Sequence, residues 1–105
     1  MEKLCMVYVT TSGKDEAIKI AESVVTAKLA ACANVYDGVT SFYLWEGEEE
    51  KTTEATLVLK TRETLLAELR DAIKELHSYS CPCIVAIPLI FADEPFAKWI
   101  IDQTK

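Results

Sequence analysis

The sequence predicts an α/β (α+β) fold: a β-α-β-β-α-β sandwich with an extra C-terminal helix and a long central hairpin. Three observations carry that reading. Period-2 and helical patterns follow one another in that order along the chain. The two arms of the central hairpin each look about twice the roughly 5–6 residues of an ordinary strand. Half of the 105 residues are apolar, enough for one compact core in a single domain, built without metal or disulfide.

Leu4 to Thr11 is apolar, rich in β-branched residues and closed by Ser12-Gly13, the pattern of a buried strand. Ser12 with Asp15 resembles a capping box, and Asp15 and Glu16 place negative charge in a first helical turn. Ala17, Ile20, Ala21, Val24, Val25 and Leu29 keep helical spacing and predict a helix running to about Ala31. Ala33 to Trp45 is β-like, interrupted at Asp37-Gly38 by the signal of a bulge or bend. Glu46-Gly47-Glu48-Glu49-Glu50-Lys51 reads as a polar hairpin tip. Beyond it Ala55, Leu57 and Leu59 alternate with Glu54, Thr56 and Lys60, a strand with one wet face.

Leu65, Leu66, Leu69, Ile73 and Leu76 form the next helical stripe, ending near His77. Cys83 to Phe91 predicts a fourth strand, with Pro88 marking an edge or bulge. Asp93-Glu94-Pro95 opens a short last helix carrying Phe96, Trp99 and Ile100. Two split βαβ units with right-handed crossovers make this order a ferredoxin-like sandwich. Its two helices cannot cover so long a hairpin. Val39, Phe42, Leu44 and Trp45 then sit on a projecting arm, where open edges and exposed aromatics favour pairing with a neighbouring subunit.

The formal charge of -6 and the lack of any basic run argue against a nucleic-acid partner. The first eleven residues lack a long apolar region with a small-residue cleavage site, and no apolar stretch approaches the ~20 residues of a membrane span. The expectation is therefore a cytoplasmic protein with no membrane partner, its Cys5, Cys32, Cys81 and Cys83 reduced unless they bind metal or do redox work.

Four segments resemble the CutA divalent-cation-tolerance family. They are Lys28-Leu29-Ala30-Ala31-Cys32-Ala33-Asn34, Gly38-Val39-Thr40-Ser41-Phe42-Tyr43-Leu44-Trp45-Glu46-Gly47, Leu59-Lys60-Thr61-Arg62 and the His77-x-Tyr79-x-x-Pro82 element. Trp99 also falls where the family keeps a C-terminal Trp. The resemblance spans nearly the whole chain. It implies a very stable homotrimer joined through the long hairpins, with copper or another divalent cation as ligand. It also implies a cleft between subunits bordered by His77, Tyr79, Trp45 and Lys60, and a possible metal ligand at Cys32. The chain departs from the family at several points. Val9 stands where some bacterial members carry Cys, and Leu76 where some carry a second His. The family's His-Pro-Tyr-Glu run becomes His77-Ser78-Tyr79-Ser80, and Cys83 replaces a carboxylate usual after Pro82.

From residue type alone, Cys81-Pro82-Cys83 is the sharpest feature. Thiols at i and i+2 of an extended chain point the same way about 7 Å apart, and a bend at Pro82 would bring them closer. Thiolates select soft ions such as Cu(I), and His77 could add an imidazole. The competing reading is packing, because free Cys behaves as a small hydrophobe. Packing competes at Cys32 too, and Cys5 reads as core. His77, at a helix C-terminus, is favoured by the dipole whatever else it does. The glutamates of the hairpin tip read as a solvated turn, and Thr10-Thr11-Ser12-Gly13 as a plain helix cap.

The leading expectation is thus a non-enzymatic metal-binding protein. A trimeric small-molecule sensor or interaction module, like the nitrogen-regulator signalling proteins, is the alternative on fold analogy. There Lys60 and the loop at Ser12 would face an anionic ligand. An acylphosphatase is excluded, because Thr11-Ser12-Gly13-Lys14 offers no Arg to hold phosphate and Asn34 lies in the wrong segment.

Overall fold

The computed structural model describes residues 2–105. Its elements are β1 (Leu4–Thr11), α1 (Lys14–Thr26), β2 (Cys32–Trp45), β3 (Glu48–Arg62), a single 3-10 turn (Glu63–Leu65), α2 (Leu66–Leu76), β4 (Ile84–Pro88) and α3 (Glu94–Gln103). The strands form one sheet in the order β2-β3-β1-β4, antiparallel at each pairing. The predicted order of elements is the observed one.

Alternation along the strands decides the layers. Val7 and Val9 of β1 and Ala55, Leu57 and Leu59 of β3 point to one face, where they pack with Ala17, Ile20 and Val24 of α1 and Leu69 and Ile73 of α2. Ile20, Leu57, Leu59, Leu69 and Ile73 are fully buried, each burial contributing about 1.5–3 kcal/mol. The other face carries the intervening residues and is open except at one end. There Leu4 and Ala31 pack under Ile100 of α3, and Arg62 Nε donates to Thr104 Oγ1 at 2.9 Å.

Four boundaries differ from expectation. The first helix stops at Thr26 rather than near Ala31. Lys28 adopts a left-handed conformation, φ 61°, and the Leu29 N–H turns back to the Val24 carbonyl at 2.9 Å. Leu29 still reaches the core, which is why its spacing looked helical. The cap is not Ser12 with Asp15: the Ser12 N–H donates to Glu16 Oε1 at 3.0 Å. The hairpin tip shrinks to Glu46-Gly47, with both residues at positive φ, and the acidic run beyond it is strand. The fourth strand is confined to Ile84–Pro88. Cys83 precedes the ladder, and after Pro88 a last bond from Leu89 N–H to the Leu4 carbonyl ends the pairing.

The arm projects as predicted. β2 and β3 have 14 and 15 residues, and beyond the reach of α1 and α2 Phe42 and Leu44 stand 67% and 68% exposed. The Asp37-Gly38 bulge is present, with Gly38 at φ 74°.

Candidate functional site

The cross-strand register of the hairpin sets the composition of the site. Trp45 lies opposite Glu48, Tyr43 opposite Glu50, Ser41 opposite Thr52 and Val39 opposite Glu54. Side chains two apart on a strand share a face, so these eight share one, aromatic along β2 and largely acidic along β3. It is the face that α1 and α2 leave open. A cavity of about 690 Å³ lies there, walled by Ser41, Tyr43 and Trp45 on one side and Glu50 and Glu54 on the other. Thr10 of β1 and the segment carrying Tyr79, Ser80, Cys81 and Cys83 complete it.

Glu54 is the site residue that sequence reasoning missed. It is 5% exposed, and its Oε2 accepts the Tyr79 hydroxyl at 2.7 Å. Burial, the hydrogen bond to Glu54 and the charge of Glu54 together push the Tyr79 phenol well above its ordinary value, so it remains a donor. The only signal in the sequence was the wet side of the Glu54-Thr56-Lys60 alternation. That pattern reveals exposure, not burial against a loop far along the chain.

His77 holds that loop. Its side chain is fully buried. Nε2 lies 2.8 Å from the Thr10 carbonyl oxygen, to which it must donate, and Nδ1 accepts the Tyr79 N–H at 3.1 Å. The two bonds specify the neutral Nε2–H tautomer and leave no lone pair for a metal. In this chain the residue expected as a ligand instead positions Tyr79, whose ring stands 4.8 Å away. Glu16 Oε1 is 3.8 Å from Nδ1, a contact and not a charge-assisted bond. Burial raises the Glu16 carboxyl, but hydrogen bonds from Ser12 and then Ser78 outweigh it and hold the group below its ordinary value.

The four thiols divide. Cys5 is buried and lies 3.8 Å from the Thr61 carbonyl, and burial, then the charge of Glu63, raises its thiol. Cys32 is half-buried and sits opposite Lys60, whose Nζ donates to Asn34 Oδ1 at 2.7 Å. Cys32 and Lys60 occupy the end of the ladder away from Trp45, so one chain does not bring them to the cavity. Cys81 and Cys83 are both exposed and both line it. The structure thus gathers Trp45, Tyr79, Cys81 and Cys83. Among the described residues, no group of three or more His, Cys, Asp or Glu side chains is arranged to hold a metal ion.

Residues 5–103 match the family model described as CutA1 divalent ion tolerance protein. The chain belongs to the CutA1 family. It is similar to the divalent-cation tolerance protein CutA of Archaeoglobus fulgidus, 43% identical over 93% of this chain and 94% of that protein. The chloroplastic protein CutA of Arabidopsis thaliana is 35% identical over 95% of this chain, which spans 55% of that protein. The solved structure of the periplasmic divalent cation tolerance protein CutA from A. fulgidus has a TM-score of 0.94 at 39% identity, covering 97% of this chain and 99% of that one.

These CutA1 relatives overturn the expectation of a cytoplasmic location, since one is described as periplasmic and another as chloroplastic. The physical reason is that a CutA1 domain poses the same packing problem in any aqueous compartment, so its composition and hydropathy carry no address. The expectation that its thiols are reduced rested on that location and falls with it.

Proposed function

We propose that the chain serves divalent-cation tolerance as a homotrimeric binding protein, not an enzyme, taking up copper or another soft ion at Cys81 and Cys83. One observation carries the reading: of four thiols these two are the exposed ones, and both line a single cavity. Thiolates select Cu(I) and related ions. The donor set fits a low-coordinate soft ion better than tetrahedral zinc, which takes three or four protein ligands. Further ligands would come from solvent or a second subunit, and the uncovered hairpin arm supports such an assembly.

Native mass spectrometry of the protein titrated with Cu(I), Cu(II) and Zn(II) tests both parts. A trimer taking up one copper per chain, lost in the Cys81→Ser/Cys83→Ser double variant, is the expected result. Metal-free trimers at micromolar ion would sink the metal reading, and monomers would sink the assembly.

The alternative, a small-molecule sensor, is favoured by the cavity's size, which lies within the usual 300–1,000 Å³ of ligand sites. An anionic ligand suits it poorly: Glu50 and Glu54 line it, no Lys or Arg does, and Lys60 is held by Asn34.

A further inference from the structure

We infer that the aromatic and acidic walls of this cavity form a binding site for an organic ammonium ion, in particular a linear alkyl diammonium. The inference goes beyond the metal reading and uses walls that do not include the thiols.

The argument starts from the ladder. Tyr43 and Trp45 face the cavity from β2, and Glu50 and Glu54 face it from β3. Aromatic faces attract cations through their quadrupole, most strongly where water is excluded, and the carboxylates supply the countercharge. Glu50 and Glu54 share a face four residues apart, roughly 13 Å along the strand. That spacing suits two charges joined by an apolar chain better than one compact ion.

One further observation points to a ligand. Glu54 is more than nine-tenths buried and lines the cavity, yet only Oε2 is engaged, by Tyr79. Among the described residues Oε1 has no protein partner and is not a buried unpaired oxygen, so it faces the open space. An ammonium group, a donor with no acceptor, would pair with that oxygen. Divalent metal fits these walls less well, because the described residues offer no three-ligand cluster and an aromatic wall supplies no ligand atoms.

Calorimetric titration of the full chain with 1,8-diaminooctane tests the inference, with 1,8-octanediol as the neutral match and Mg²⁺ as the compact dication. The diamine should bind at least about tenfold tighter than the diol, and Mg²⁺ should fail to displace it. Glu54→Gln, which keeps an acceptor for Tyr79, should weaken the diamine about tenfold or more. Glu50→Gln, at a less buried position, should weaken it several-fold and guards against a folding defect in the first variant. The diamine titration is run without added metal, so its outcome does not depend on the metal reading. Equal affinity for diol and diamine, or full diamine affinity in both glutamate variants, would overturn the inference.

Discussion

At the scale of single residues, the site is held by bonds that cross the chain. His77 joins the Thr10 carbonyl to the Tyr79 N–H, so His77→Ala leaves one buried acceptor and one donor without partners. That should cost about 1–3 kcal/mol, read as a lowered midpoint in urea, and should disturb ligand or metal uptake at the cavity by loosening Tyr79. Glu16 gives a pH dependence. Its folded-state pKa lies below the ordinary 4.5, so its contribution is complete above the unfolded value and is lost as pH falls through the lowered one. Between those two values the parent should lose stability on acidification more steeply than Glu16→Gln. Melting temperatures measured from pH 6 to pH 3 check this, and parallel curves would refute it.

At the scale of elements, most of the architecture was legible because burial imposes a period. Val7, Val9, Leu57 and Leu59 alternate, and Ile20, Val24, Leu69 and Ile73 keep helical spacing, each set because one face meets the core. Boundaries were less legible where the core outlasts the element. Leu29 is buried but past the end of α1, and nothing in Thr26-Ala27-Lys28 announces a left-handed residue, for which glycine is usual. Lys28→Gly relieves about 1–2 kcal/mol of left-handed strain against about 0.5–1 kcal/mol of added chain entropy. A gain of up to about 1 kcal/mol is expected in chemical denaturation, and a loss would show that the Lys28 side chain contributes more than its backbone costs. The site was half legible. Cys81, Cys83, Trp45 and Tyr79 stood out by type, but Glu54 required the register, and the register requires knowing that Asp37-Gly38 adds a residue on one strand only.

At the scale of the whole molecule, the long axis of 45 Å against 25 and 23 Å reflects the arm. Its Phe42 and Leu44 point to the face that the helices cover lower down, yet nothing in the chain covers them. If neighbouring copies do, Phe42→Ser with Leu44→Ser removes about 1.5–3 kcal/mol of burial per side chain. Sedimentation velocity at micromolar protein should then show dissociation, with the far-ultraviolet circular dichroism of the folded chain retained. An unchanged sedimentation coefficient would place the contacts elsewhere.

The bulge between Tyr36 and Val39 has a consequence for how such an arm can change. Two residues of β2, Asp37 and Gly38, stand opposite Ala55 alone, since Tyr36 pairs with Thr56 and Val39 with Glu54. Deleting Gly38 would therefore leave each pair from Val39–Glu54 to Trp45–Glu48 intact. What it would remove is the local bend and extra twist that a bulge imposes. The inventory of the arm and the direction in which it points are thus set by different residues. One can be re-aimed toward a new neighbour while the other is preserved.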